Sequence, residues 1–376
     1  MKEEHTNERG AKKIRYAVVG LGYIAQIAVL PAFENAKKNS ELAALVSDDA
    51  EKLTKLSRKY KVKQTYSYDQ YDELLQSGQI DAVYIALPNH MHHEYTIRAA
   101  RAGIHVLCEK PMAVTDDECI EMIRACDENK VKLMIAYRLH FDKANLSAIE
   151  LVKSGKIGEP RIFNSIFTMQ VKDEDNIRLK SSTGGGTVYD IGIYCINAAR
   201  YLFQAEPIEV TAVTANSGDA RFTEVEEMAS AVLRFPEDRL ASFTCSFGAA
   251  DASAYEVVGT EGTLRADPAY EYADDLKFTV KVKGKERERT FPKHDQFGPE
   301  LLYFSNCILS NEEPEPSGRE GLADVRIIQA IYESAETRRP VKLELAQDVY
   351  PDLSQEISRP PIKEPELVKA ASPSGD

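Results

Sequence analysis

An α/β chain is predicted: an N-terminal doubly wound parallel sheet, followed by a C-terminal α+β domain on a large, mostly antiparallel open sheet. Three observations carry this. Between residues 14 and 137, short and nearly continuous apolar runs alternate with helix-like segments, the pattern of parallel strands covered on both faces. A glycine-rich turn, Gly20-x-Gly22-x-x-Ala25, directly follows the first apolar run and opens a helix-like stretch. Beyond residue 143 the chain turns to alternating segments rich in Thr, Val, Phe and Tyr with turn residues between them, as antiparallel sheets require.

Taken in order, residues 1–13 read as a flexible charged arm. Strands are expected at 14–19, 42–46, 81–87, in the run from 103 up to Glu109, and at 132–136. Helices are expected from the glycine turn to about 36, then at 50–60, 68–76, 93–102 and 115–129. The last opens on Thr115-Asp116-Asp117-Glu118, a capping-box pattern. A helix at 143–154 leads into strands at 161–171, 208–215, 229–235, 240–247, 254–259, 276–282 and 288–291. A helix at 187–203 interrupts them, and helices at 299–309 and 318–337 close the sheet. The domain division is then 14–137, a dinucleotide-binding domain, and 138–345, a substrate-binding and oligomerisation domain. A Pro-rich tail, 346–376, is expected to lie extended on the surface or on a partner subunit.

With 376 residues, 43% hydrophobic and 28% charged, the chain has material for two cores. A formal net charge of −13 argues against general nucleic-acid binding. The six cysteines form no Cys-x-x-Cys pair, which reads as reduced thiols. The first 13 residues lack an apolar signal core, and no apolar run reaches the ~20 residues of a membrane span. A soluble, cytoplasmic protein is expected.

The strand-turn-helix context gives the glycine motif its meaning. Gly20 permits the tight turn, and Gly22 lets backbone N–H groups of the turn, near Tyr23 and Ile24, approach a pyrophosphate. At the second strand end the signals conflict. Asp48 is the acid that would bond a ribose 2′-OH and favour NAD, whereas Ser47 and Lys52 suit the 2′-phosphate of NADP. Leu87-Pro88-Asn89 ends another strand, with His90, His92 and His93 close behind. Their spacing is not that of a metal site, so no metal is expected, and Asn89 and His92 are read as lining the cofactor. Glu109-Lys110-Pro111 places a cation at a strand's carboxyl end, where open parallel sheets bind ligands. Finally, Gly184-Gly185-Gly186 precedes a helix carrying Asp190 and Tyr194, four residues apart on one face. A lysine, an aspartate and a tyrosine make a proton-transfer set, because a phenol beside a cation gives up its proton more readily.

Together these pieces resemble the glucose–fructose oxidoreductase/inositol dehydrogenase/MocA family. The matching residues are Gly20-x-Gly22-x-x-Ala25, Leu87-Pro88-Asn89-x-x-His92, Cys108-Glu109-Lys110-Pro111-Met112-Ala113, Tyr137-Arg138 and Gly184-Gly185-Gly186 with Asp190-Ile191-Gly192-Ile193-Tyr194. The glucose–fructose oxidoreductase branch is most similar, through Asp190 to Tyr194, Arg200-Tyr201-Leu202 and the run from Asp324 to Glu333. The resemblance implies a Rossmann domain, an NADP cofactor (alternatively NAD), and a sugar or cyclic polyol substrate. It also implies a homodimer or homotetramer through the second domain's sheet. By the same resemblance Lys110 is the catalytic lysine, Asp190 orients substrate, and Tyr194 stands where most of the family has histidine. Glu109, Asn89, His92, Arg138 and Arg178 would line the nicotinamide side. Ile177 stands where the family often has tryptophan, which implies a looser cover. A non-catalytic sugar or dinucleotide sensor and an NAD-dependent glycosidase stay open as alternatives.

Overall fold

The first apolar run becomes β1 (Ile14–Val19), and every strand that follows it up to residue 136 pairs in parallel. The computed structural model describes residues 12–346 and 350–375, so nearly all of the arm expected at 1–13 lies outside the described residues. After β1 come a π-helical turn, Ala25–Val29, and one short helical turn, α1 (Leu30–Ala32). Then follow β2 (Ser40–Val46), α2 (Ala50–Tyr60), β3 (Gln64–Tyr66), α3 (Tyr71–Gln76) and β4 (Ala82–Ile85). The sheet finishes with α4 (His92–Arg101), β5 (His105–Glu109), α5 (Asp116–Asn129) and β6 (Leu133–Ala136). Its strand order, β3-β2-β1-β4-β5-β6, reverses between β1 and β4, and that reversal opens a crevice at the strands' carboxyl ends.

After α6 (Lys143–Lys153) the chain builds the second sheet from β7 (Pro160–Thr168) onward. α7 (Ile193–Phe203) separates β7 from β8 (Glu209–Ala215), β9 (Met228–Arg234), β10 (Leu240–Ser246) and β11 (Ala252–Gly259). β12 (Gly262–Ala266), β13 (Leu276–Val282) and β14 (Lys285–Phe291) extend it. With a short last strand, β15 (Val341–Lys342), nine strands among the described residues lie in the order β14-β13-β12-β11-β7-β10-β9-β8-β15, antiparallel except where β10 runs parallel to β7. One face is covered by helices. The other leaves Ile162, Ile166, Val213, Val232 and Leu240 exposed.

Of the two late helices, one departs from expectation. α8 (Gly298–Ser310) and α9 (Gly318–Thr337) were expected to close the second sheet. Instead α8 packs on the first. Its Ser305 hydroxyl meets the Tyr16 hydroxyl at 2.8 Å, and its Leu302 carbonyl accepts from Asn39 at 2.9 Å. The connection from β1 to β2 holds only short helical turns, and α8 shares its side of the sheet: Leu30 and Phe33 of the link are buried in one core with Leu301 and Phe304 of α8, and a parallel sheet needs both faces dressed. α9 does lie on the second sheet, its Ser334 hydroxyl accepting from the Ala212 N–H of β8 at 3.0 Å, and it also reaches the first unit. Ile135 N–H bonds to the Pro316 carbonyl at 3.1 Å, and a Cβ on Gly321 would lie 2.9 Å from Met112. β15 (Val341–Lys342) then pairs with β8. The Pro-rich residues from 350 on lie along their own chain; for example, Ile357 N–H bonds to the Phe141 carbonyl at 3.3 Å.

Candidate active site

The crevice at the β1/β4 reversal opens into a cleft of about 730 Å³ between the two sheets. Gly20, at φ +93°, turns the chain off β1; a Cβ there would sit 2.5 Å from the Ala86 carbonyl oxygen. At Gly22 a Cβ would meet no atom within 4 Å, so the glycine loop faces open space. Tyr23, Ile24, Leu87 and Pro88 border that space. These features fit a dinucleotide, with its pyrophosphate at the loop.

The residues that would read the adenosine ribose separate cleanly. Ser47 and Lys52 line the cleft. Asp48 does not: it is exposed, and its carboxylate accepts from the Tyr68 N–H at 2.8 Å. In this arrangement Ser47 and Lys52, not Asp48, face the space a ribose phosphate would take. Neighbouring Asp49 caps α2, accepting from the N–H groups of Glu51 and Lys52 at 2.9 and 3.0 Å.

His92 also departs from expectation. Its ring is fully buried outside the cleft lining, its nitrogens 2.9 Å from the Pro111 carbonyl and 2.8 Å from the Leu87 carbonyl. It braces the strand ends that carry Lys110 and Asn89 rather than touching a ligand. Burial lowers the pKa of its imidazole, and the two carbonyls oppose that shift. His93 is engaged with Glu121 at 2.7 Å.

Lys110 follows the last residue of β5 and lies at the centre of the cleft. Its Nζ donates to the Asp190 carbonyl at 2.7 Å and to Asp190 Oδ1 at 3.2 Å, and sits 4.9 Å from the centre of the Tyr194 ring. Arg178 Nε donates to Asp190 Oδ2 at 2.6 Å. Burial alone would raise the Asp190 pKa, but the Arg178 and Lys110 cations outweigh it and hold the carboxyl well below the usual range. Burial likewise works against the Lys110 charge, yet Tyr194, Asp190 and Glu109 together raise its pKa. Arg138 Nε donates to the Tyr194 hydroxyl at 3.1 Å, while its other nitrogens bond Gln296 and the Tyr270 carbonyl. Two cations thus flank the phenol where the sequence suggested one. Residues 188–192 form a π-helical turn ahead of α7, and this turn carries Asp190 while Tyr194 lies in α7 itself.

The triple glycine is tightly enclosed, not loose. A Cβ at Gly185 would lie 2.4 Å from the Arg178 carbonyl oxygen, and one at Gly184 would lie 2.6 Å from Val114. Asn89 Nδ2 donates to the Gly184 carbonyl at 2.8 Å, tying the β4 end to this loop. Asn89 also borders the cleft, and the Gly186 N–H bonds to the Arg178 carbonyl at 3.0 Å, fixing the backbone of the residue that pairs with Asp190. Ile177 lies on the cleft wall, 48% exposed.

Beneath Lys110 lie two buried carboxyls. Glu109 accepts from the Tyr84 hydroxyl at 2.8 Å, and burial raises its pKa despite Lys110 and Arg138. Both Glu300 oxygens are buried without a hydrogen-bond partner among the described residues, and burial, then Glu109, pushes its pKa far up. Sequence reasoning did not find Glu300, nor Tyr272, whose hydroxyl approaches that of Tyr23 at 3.4 Å across the cleft. The Tyr270-Glu271-Tyr272 run was the only local signal for the latter.

Comparison with known proteins agrees with this geometry. Residues 14–137 match the family model described as an oxidoreductase family with an NAD-binding Rossmann fold, and 146–265 match the GFO/IDH/MocA C-terminal domain. The chain is 36% identical over 338 residues to a D-xylose 1-dehydrogenase [NADP(+)] of Haloarcula marismortui, covering 88% of this chain and 93% of that protein. Among solved structures, an aldose–aldose oxidoreductase from Caulobacter crescentus, complexed with glycerol, superposes with a TM-score of 0.84 at 39% identity. That match covers 88% of this chain and all of the other. A 3-ketoreductase from Actinomadura kijaniata, in complex with NADP and TDP-benzene, gives a TM-score of 0.79 at 27% identity, with 86% and 98% covered. With both sheets, the glycine turn and the lysine-centred cleft in place, the chain belongs to the GFO/IDH/MocA family of oxidoreductases.

Proposed function

We propose that this protein is an NADP-dependent oxidoreductase acting on a carbon that bears a hydroxyl in a sugar or cyclic polyol. The observation that carries the reading is the joining of Lys110, Asp190 and Tyr194 at the inner end of the dinucleotide cleft. NADP is favoured over NAD because Ser47 and Lys52 face the cleft while Asp48 is bound to the Tyr68 backbone. The relatives named above that carry NADP support the same choice. Asp251, Asp267, Glu271 and Asp274 line the second domain's wall. Such a wall offers acceptors to hydroxyls and repels phosphate, so an unphosphorylated sugar fits it.

When bound, NADP supplies the hydride acceptor. Tyr194, acting as the phenolate, takes the substrate hydroxyl proton and becomes the neutral phenol as the adjacent C–H is broken. Lys110 and Arg138 hold positive charge against the phenol and ease that transfer. Asp190, fixed by Arg178 and Lys110, orients the sugar. Residues 14–137 serve the cofactor and 138–345 the substrate.

The exposed apolar residues on the outer face of the second sheet support a homodimer or homotetramer through that face. Six buried, unpaired cysteines support a reducing, cytoplasmic setting. Among the described residues no helix is long and apolar enough to cross a membrane.

The test is direct. The cofactor retained by the purified protein is released and weighed, and nicotinamide fluorescence is followed while unphosphorylated sugars, polyols and aryl glycosides are added. Fluorescence gain with a sugar or polyol and NADP(H) is expected. Glycoside cleavage without net reduction, or binding without turnover, would replace the reading with a glycosidase or a sensor.

A further inference from the structure

The path of residues 357–374 is fixed by contacts that lead toward the cofactor cleft. The Pro360 carbonyl accepts from Asn35 at 2.9 Å, and the Glu366 carbonyl accepts from Lys59 Nζ at 3.0 Å. At Val368 the contact becomes reciprocal. Gln26 Nε2 donates to the Val368 carbonyl at 2.9 Å, and Gln26 Oε1 accepts from the Val368 N–H at 2.7 Å. The same Nε2 donates to the Leu21 carbonyl in the glycine loop at 2.9 Å, and Gln26 is 1% exposed. One buried amide therefore ties residue 368 to the turn that would receive the pyrophosphate.

Beyond that tie, Lys369 pairs with Glu51 at 2.9 Å and Asp49 at 3.5 Å, at the start of α2 beside Ser47 and Lys52. Ser372 and Ser374 then line the cleft, and the Pro373 carbonyl accepts from the Lys172 N–H at 3.2 Å. The segment thus starts on one wall of the cleft and ends on the opposite one. Its charge also matters. Asp48, Asp49 and Glu51 crowd the place where Ser47 and Lys52 would hold a 2′-phosphate, and Lys369 neutralises two of those three acids.

We infer that residues 368–374 are part of the dinucleotide site: a strap across the cleft mouth that covers the nucleotide and must leave Gln26 before the cofactor exchanges. The inference rests on the dinucleotide reading proposed above. Lys369 acts in it as a positioning residue that lets the site accept a 2′-phosphate.

The test uses the full chain loaded with NADPH and chased with excess NADP⁺, with release followed by stopped-flow fluorescence. Val368→Pro removes the N–H that Gln26 accepts and is expected to speed release about tenfold, the scale of one lost buried hydrogen bond. Lys369→Glu is expected to weaken NADPH binding several times more than NADH binding. In the unaltered protein, NADPH is expected to slow hydrogen exchange in residues 366–375. Release at the parent rate in Val368→Pro, or no added protection of the segment, overturns the strap. If the unaltered protein does not bind NADPH at all, it is the dinucleotide reading that fails, and the strap falls with it.

Discussion

Lys110 holds its place because three neighbours leave its ammonium few other positions: the Asp190 carbonyl, the Asp190 carboxylate and the face of Tyr194. Lys110→Ala and Tyr194→Phe are each expected to lower kcat by about 10²–10⁴-fold, the range of lost proton-transfer catalysis. Cofactor binding, measured by fluorescence titration, should stay within a few-fold of the parent; near-normal turnover in Lys110→Ala would end the assignment. Glu300 makes a separate prediction about pH. A carboxyl whose folded pKa is raised contributes its stability below its unfolded value of about 4.3, and that contribution is lost as pH rises toward the folded value. Glu300→Gln is neutral at every pH and should escape this loss. Its melting temperature is expected to exceed the parent's by a few degrees near about pH 8 and to match or fall below it near about pH 5. No such gain with rising pH would mean that Glu300 is solvated in the folded state. Lys110, Asp190 and Tyr194 were legible in the sequence as a chemically matched set. Glu300 was not, because an acid early in an apolar helix looks like an ordinary response to the helix dipole.

The elements that were read best are those whose boundaries are local chemistry. α5 begins where the capping box placed it, with Thr115 Oγ1 accepting from the Glu118 N–H at 3.2 Å and Glu118 Oε2 accepting from the Thr115 N–H at 3.0 Å. β3 escaped notice because only three residues pair and only Tyr66 among them is buried, so no apolar run marks it. β12 does alternate, but over five residues that begin at a glycine and bury only Leu264 and Ala266, too short a run to stand out. Two contacts between elements carry predictions. Arg200, fully buried on α7, meets Glu206 at 2.6 Å and Asp324 on α9 at 2.7 Å. Arg200→Met leaves those acids buried without their cation and is expected to destabilise the fold by about 3–5 kcal/mol in urea unfolding. A loss under about 1 kcal/mol would show that solvent reaches the acids. Gly185→Ala places a methyl against the Arg178 carbonyl. It should move Arg178 off Asp190 and raise KM for the sugar while dinucleotide affinity is kept, which steady-state kinetics and a binding titration separate.

At the scale of the whole molecule, the outer face of the second sheet is left undressed by helices and exposes apolar side chains. Its exposed apolar side chains fall in register: Leu240 lies opposite Ile162 and Val232 opposite Ser242, and Ile166 sits farther along the same strand as Ile162. The double variant Ile166→Asp, Val232→Asp is expected to sediment as a monomer while keeping its cofactor, because the face lies away from the cleft. A variant that sediments as the parent does would end the proposal that this face pairs copies of the chain. The organisation of the two sheets was legible from strand pattern alone, but the placement of α8 was not. Its apolar side chains would suit either sheet, and the choice fell to the first, where Leu301 and Phe304 complete a core begun by Leu30 and Phe33 of the link after β1.

What the sequence by itself determined is local and periodic. The parallel first sheet, the glycine turn, the capped helices and the lysine at a strand end all follow from residue spacing and backbone preference over a few residues. What only the tertiary structure decided is which groups meet across long separations. Asp48 turned to the Tyr68 backbone, and His92 became a brace between two carbonyls. Arg138 joined Lys110 at the phenol, and residues 368–374 crossed the cleft. Each depends on chain segments brought together by burying two cores, and burial selects partners by shape and charge that no stretch of sequence records.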